Sequence, residues 1–149
     1  YKYNLTDTAA AYGIWQLQYI NEWQERRKEL VDQYHTGLKG IDGILLPYIN
    51  EGHAKHLYVI RLLNEKWSIS RNQFIKEMGK RGVGLAVHYK PIHMLSYYMK
   101  QYGFKESNFP RVNSLYNSIL TLPLYPSLKD IDIEHIISNI HEVYAIYAK

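Results

Sequence analysis

The chain has 149 residues, a length that suits one domain or a substantial part of one. Hydrophobic residues make up 46% and charged residues 21%, close to the mean for globular proteins, which excludes a disordered or collagen-like chain. No stretch approaches the roughly 20 apolar residues of a membrane-spanning helix, no secretory leader opens the sequence, and zero cysteines exclude a disulfide framework, a thiol nucleophile and a thiolate metal site.

A reducing, cytoplasmic setting is therefore the expectation. The net charge of +4 is a mild basic bias, and its longest run, Arg26-Arg27-Lys28, falls inside a helical pattern. It reads as solvated surface and not as a nucleic-acid footprint. The aromatic composition is less ordinary: 15 Tyr stand against 3 Phe, so many rings carry a hydroxyl that must reach water or a partner. The first residue is Tyr1 and not Met, which points to a processed product or a piece of something longer.

In chain order, Thr6-Asp7 precedes Ala9-Ala10-Ala11 and an apolar series, Ile14, Leu17, Ile20, Trp23, Leu30, Tyr34 and Leu38, with helical steps of three and four. Thr6 is the expected N-cap and Asp7 suits the positive helix end. About 33 residues is long for one helix against a usual range of roughly 8–20, so the expectation is two helices or a bent one, with the break near Tyr19–Asn21. Ile41 to Pro47 reads as a short strand, and His56 to Leu63, rich in β-formers, as the clearest one. Ser70-Arg71-Asn72-Gln73 forms a capping box before Phe74, Ile75 and Met78, and Gly82 follows Arg81 as a helix end requires.

Gly84 to Tyr89 reads as another strand, ended by Pro91. Leu95 to Tyr102 reads as a short helix and Gly103 to Asn108 as a loop. Phe109-Pro110 opens a further helix to about Ser118, with proline in its first turn. Leu120 to Pro126 is expected to be extended and turn-like, because prolines forbid a central paired strand. Asp130 is expected to cap a final helix with the apolar face Ile133, Ile136, Ile137, Ile140, Val143, Tyr144 and Tyr147. About three strands with helices between and around them make an α+β or two-layer arrangement.

The densest polar-aromatic cluster is Val87-His88-Tyr89-Lys90-Pro91-Ile92-His93. A strand ending in His-Tyr-x-Pro delivers an imidazole and a phenol to an edge, where they either face a cleft or cap the strand and bond backbone. His88 and His93 are five apart across a proline and share no helix face, so a metal site is not expected. His35, His53, His56, His135 and His141 are mostly expected at the surface. Gly82-Val83-Gly84 lacks a third glycine and follows a helix, unlike a dinucleotide-binding turn. No nucleophile elbow, phosphate-binding loop or H-E-x-x-H motif is present. Lys2, in Tyr1-Lys2-Tyr3-Asn4, precedes a capped helix. It is either a solvated terminal side chain or a phosphate ligand acting with the free amides of that helix end.

Three ordered blocks resemble the C-terminal part of the DegT/DnrJ/StrS family, pyridoxal-phosphate-dependent sugar aminotransferases of the aspartate-aminotransferase fold type. The opening YKYNLTDTAAAYGIWQLQYINEWQERRKELVDQY is similar to the family's Y-[NK]-Y-[NR]-[LM]-[TS]-D-x-x-A-A-x-G-x-x-Q-L segment. RGVGLAVHYKPIHMLSYY is similar to R-G-I-x-x-x-V-H-Y-x-P-[IL]-H-x-x-x-x-Y. ILTLPLYPSLKDIDIEHII is similar to L-S-L-P-L-[YF]-P-x-[LM]-[TS]-x-x-D. The resemblance covers nearly the whole chain.

What the resemblance implies is an α+β small domain spanning 1–149, with long N-terminal helices and a small antiparallel sheet covered by helices. Residues 1–40 would be the interface and linking segment. The cofactor-binding large domain would lie upstream, with the lysine that carries pyridoxal phosphate, so this piece would be inactive alone. The family forms homodimers, which puts Lys2 at the phosphate of the neighbouring subunit's cofactor. Asn4 stands where many relatives have Arg. His88, Tyr89 and His93 would line the sugar-nucleotide pocket. The implied reaction moves an amino group, from glutamate, to a nucleotide-linked keto-sugar in amino-sugar or cell-surface polysaccharide biosynthesis. The V-H-Y-x-P-I-H variant looks most like members acting at C4 of 4-keto-6-deoxy sugars. The alternatives are a keto-deoxysugar dehydratase of the same family, or a non-catalytic module that binds a sugar nucleotide or nucleic acid. Neither a nucleic-acid nor a membrane partner is implied for the enzyme.

Overall fold

The structure is a computed structural model that describes residues 3–149. Its core is built around one strand. β2 (Tyr58–Leu62) alternates buried Tyr58, Ile60 and Leu62 with half-buried Val59 and Arg61, the period-two pattern of a sheet with one face in the core. It lies at the centre of a three-stranded antiparallel sheet of order β1-β2-β3, between β1 (Ile44–Leu45) and β3 (Ile119–Leu122). Ile44 pairs with Leu62, and Ile60 with Leu120.

The core face of the sheet is covered by helices. The end of α1 (Asp7–Leu38) contributes Leu30, Val31, Tyr34 and Leu38. α2 (Arg71–Lys80) contributes Phe74 and Met78, and α5 (Asp130–Tyr147) contributes Ile133, Ile136, Ile140 and Val143. The Tyr34 and Tyr58 rings stack at 4.9 Å, with Tyr34 Oη donating to Pro123 O at 2.8 Å. Burial pushes both phenols well above their ordinary range, so they remain neutral hydrogen-bonding groups. The short helices α3 (Ser96–Tyr102) and α4 (Pro110–Ser118) complete the α+β arrangement.

Two of the expected helix caps are present as read. Thr6 Oγ1 accepts from Ala9 N at 3.3 Å, and Ser70 and Gln73 form the reciprocal capping box that opens α2. Of the two expected forms, two separate helices are excluded: α1 runs uninterrupted for 32 residues. Its length was the sole argument for a break, whereas Tyr19–Asn21 holds neither proline nor glycine and is followed by good helix formers from Glu22 to Leu30. At about 1.5 Å per residue α1 is roughly 48 Å long. A compact domain of this size has a radius of gyration of about 15 Å, so the helix overhangs. Its first half leaves Tyr12, Ile14, Trp15, Leu17, Tyr19 and Ile20 exposed.

Three further expectations are corrected. Gly84 to Tyr89 is not a strand. Ala86 alone bridges Thr121, through two backbone hydrogen bonds of 3.3 and 2.8 Å, before the chain bends at His88. Leu120 to Leu122 is paired strand, because Pro123 falls just after the last ladder residue and removes no ladder N–H. Asp130 does not cap α5. Lys129 occupies the cap position, its N–H donating to Asp132 Oδ2 at 3.3 Å. Asp130 instead accepts from Arg26 Nη2 at 2.8 Å and Gln33 Nε2 at 3.0 Å, which ties α5 to α1 and holds its carboxyl below the usual range. Arg26 also donates to Leu128 O, and Arg27 donates to Leu124 O, so two cations of the Arg26-Arg27-Lys28 run serve the fold itself.

Gly43 turns the chain into β1 at φ +94°, and a Cβ there would lie 2.8 Å from Trp67 Nε1, the group that donates to Gly43 O. Gly43→Ala is expected to destabilise the protein by about 1–3 kcal/mol. Gly79→Ala meets nothing within 4 Å, and is expected to stabilise α2 by about 0.5–1 kcal/mol. Chemical denaturation of both variants checks this pair of opposite signs.

Candidate functional site

The β3 ladder positions the first candidate residue. Leu120 and Leu122 point into the core, so Thr121 between them projects from the opposite face. There Thr121 Oγ1 lies 2.9 Å from His88 Nδ1. The bridge through Ala86 brings the 84–89 segment along the outer edge of β3, and the side-chain bond then fixes the half-buried imidazole. Among the described residues, His88 Nε2 has no hydrogen-bond partner. One ring nitrogen is anchored and the other is offered outward.

Tyr89 follows with its ring edge-on to His88, centroids 4.7 Å apart, and is 72% exposed. The imidazole and phenol are thus presented together on an open surface. Neither residue lines any of five clefts found elsewhere on the surface, so the pair sits on an open face and not in an enclosed site.

His93 is placed differently. It is 7% exposed, packs against Phe109 at 4.5 Å, and its Nε2 lies 2.8 Å from Asn113 Oδ1. Asn113 Nδ2 in turn donates to Glu106 O. His93 therefore ties the turn after Pro91 to α4. Asn4 is exposed in the extended segment before α1 and makes no hydrogen bond with the described residues. Lys2 lies outside the described residues. The structure joins His88 to Tyr89, and joins neither to His93 nor to Asn4.

Among the remaining histidines, His35 is half-buried, its Nδ1 3.0 Å from Tyr58 Oη and its Nε2 3.1 Å from Pro47 O. Among the described residues no group of three or more acidic or histidine side chains could hold a metal ion, and no helix is long and apolar enough to cross a membrane.

The comparisons with known proteins decide the family. A family model described as the DegT/DnrJ/EryC1/StrS aminotransferase family matches residues 1–141. The chain belongs to this family. The spore coat polysaccharide biosynthesis protein SpsC of Bacillus subtilis is 36% identical over 146 residues, covering 96% of this chain and 38% of that protein. The putative sugar aminotransferase Spr1654 from Streptococcus pneumoniae, solved in apo, PMP and PLP forms, is 34% identical with a TM-score of 0.87 over 98% of this chain and 37% of that one. The Helicobacter pylori aminotransferase PseC, at 20% identity, shares the fold with a TM-score of 0.88. The chain thus spans a little over a third of the length of these relatives.

For a pyridoxal-phosphate family the donor set matters. None of the major clefts is lined by a lysine, and none combines one with an acid and a phosphate cradle. The described residues do not by themselves fit the cofactor. Sequence reasoning singled out His88 and missed the residues that hold it and its neighbour. For Thr121 the signal was there: a polar residue alternating with Leu120 and Leu122 must face away from the core.

Thr121→Val preserves the β-branched shape and removes the hydroxyl. Stability is expected to fall by no more than about 0.5–1.5 kcal/mol, while the His88 ring loses the bond that anchors Nδ1. Imidazole nitrogen chemical shifts identical to those of the unsubstituted protein would show that Thr121 does not hold the ring.

Proposed function

We propose that this chain is the C-terminal small domain of a pyridoxal-phosphate-dependent sugar aminotransferase, residues 1–40 forming its linking and interface segment. The observation that carries the proposal is the match over residues 1–141 to the family, with relatives that extend well beyond it. It is supported by the overhang of α1, whose first half exposes apolar residues on several sides. Such a helix suits a position between the domain upstream and a second subunit. The intact protein is cytoplasmic and homodimeric in this reading.

The substrate is a nucleotide-linked keto-sugar and the amino donor is glutamate. Pyridoxal phosphate supplies an electron sink for breaking bonds at the amino-bearing carbon. Its covalent lysine belongs to the upstream domain. Lys2 serves the phosphate of the neighbouring subunit's cofactor as a charge-assisted donor, and the exposed Asn4 lies two residues on in sequence.

His88 and Tyr89 form part of the sugar wall. With Nδ1 held by Thr121, the outward Nε2 of His88 is positioned to exchange a hydrogen bond with a sugar hydroxyl, and the exposed Tyr89 ring covers a sugar face. His93, buried on Asn113 and Phe109, acts on that wall by holding the turn that follows it.

The test compares the full-length protein with residues 1–149 alone. The full-length protein is expected to bind pyridoxal phosphate with a visible absorbance band and to convert glutamate to 2-oxoglutarate when given a nucleotide-linked 4-keto sugar. The 149-residue chain is expected to do neither. Lys2→Ala is expected to weaken cofactor retention at least tenfold with little change in sugar preference. A keto-sugar consumed without loss of glutamate would replace transamination by dehydration. Sugar-nucleotide binding with no turnover would make the protein a binding module.

A further inference from the structure

Arg71 is a buried cation with no counter-ion. It is 5% exposed, its Nη1 donates to Ile119 O at 3.1 Å, and its Nε is closed off from solvent with no acceptor. Among the described residues no carboxylate pairs with it. The Tyr116 ring, 5.1 Å from Cζ, offers a favourable face to the charge. A ring face leaves unanswered the N–H groups that lie in the guanidinium plane, which carries five such donors. Buried charges are ordinarily paired, so this one is an exception that calls for an acceptor.

The same residue opens α2, a helix of 10 residues. Gln73 N donates to Ser70 Oγ and Phe74 N to Ser70 O, leaving the backbone N–H groups of Arg71 and Asn72 without an acceptor. Their partial positive charge adds to that of the guanidinium. In front of them is a cleft of about 350 Å³ lined by Asn64, Ser68, Ser70, Arg71, Asn72 and Asn117, with no acidic side chain in its wall. The hydroxyl protons of Ser68 and Ser70 are already engaged, on Tyr147 O and Gln73 Oε1. The three carboxamides have no hydrogen-bond partner among the described residues.

We propose that this cleft binds the phosphoryl group of a small phosphorylated metabolite. The available donors are Arg71 Nη2, the one guanidinium nitrogen neither sealed off nor bonded to Ile119 O, two backbone N–H groups and three carboxamides, more than the two oxygens of a carboxylate can use and well matched to a phosphoryl group. Carboxamides both donate and accept, which suits hydroxyls on the body of the ligand, and the cleft is larger than a bare phosphate needs. The helix end and the buried guanidinium are the backbone and the side chain of one residue, Arg71, and both favour the same charge type. The site is independent of the aminotransferase reading and lies apart from His88 and Tyr89, which are not among its lining residues.

The test uses the full-length protein saturated with pyridoxal phosphate, so that the cofactor's own phosphate position is filled. Melting temperature is followed while inorganic phosphate, glucose 6-phosphate or acetate is titrated against chloride at constant ionic strength, since a ligand of the folded state stabilises it in proportion to its occupancy. Saturable stabilisation is expected from inorganic phosphate, with glucose 6-phosphate at least tenfold tighter and acetate ineffective. Arg71→Lys keeps the charge and loses the fork. Asn72→Asp, at an exposed position, places a carboxylate at the cleft and leaves the core untouched. Each is expected to weaken binding at least tenfold. If Arg71→Lys does not fold, Asn72→Asp decides the matter alone. Absence of saturation in the unsubstituted protein, unchanged affinity in Asn72→Asp, or acetate acting as well as phosphate would overturn the proposal.

Discussion

The long first helix has a core behind only its last third. Leu30, Val31, Tyr34 and Leu38 are buried against the sheet and α5, and Arg26 clamps the rod to Leu128 O and Asp130. Upstream of that clamp the apolar residues do not form one stripe. Tyr12, Trp15, Tyr19 and Trp23 share a face and their rings touch in a ladder, with centroids 4.9–6.3 Å apart, Tyr12 stacked on Trp15 and Tyr19 on Trp23. Ile14 and Leu17, each two residues from a member of that ladder, lie on the other side. A helix that is apolar all round is a buried helix. Burying a large apolar side chain is worth about 1.5–3 kcal/mol, so six of them represent an unrealised stabilisation on the order of 10 kcal/mol. That is comparable with the whole stability of an ordinary domain, about 5–15 kcal/mol. The first half of α1 thus carries apolar surface on more than one side that the described residues leave uncovered.

The His88–Tyr89 pair is likewise supported on one side only. His88 and Tyr89 are held from behind and open in front. The ladder fixes Thr121, Thr121 fixes one nitrogen of His88, and the ring of His88 meets the edge of Tyr89. The turn beyond is pinned by His93 on Asn113. Every one of these supporting contacts comes from this chain.

Much of this was legible from residue order. The N-caps at Thr6 and Ser70, the β2 strand, the proline-led α4 and the apolar face of α5 follow from local chemistry, and the structure shows each of them. What was illegible depends on partners distant in sequence. The 84–89 segment has strand composition, yet pairing is decided by how long it stays beside β3, and it leaves after one residue. Asp130 has the right type for a cap, but Arg26, 104 residues away, claims its carboxylate. His88 and His93 look equivalent in a heptapeptide. Burial among Phe109 and Asn113 separates them, because an imidazole enclosed in that way is a strut while one with a free outward nitrogen is a contact. Arg71 was hidden inside a capping motif that explains Ser70 and Gln73 completely and says nothing about the residue between them.

The account stands or falls on whether the first half of α1 needs a protein surface to stay helical. Amide hydrogen exchange, read segment by segment in the 149-residue chain and in the full-length protein, measures this directly. The segment from Tyr12 to Trp23 is expected to exchange rapidly in the isolated chain and slowly in the full-length protein, with Leu30 to Leu38 protected in both. Equal protection of Tyr12 to Trp23 in a monomeric isolated chain would contradict it.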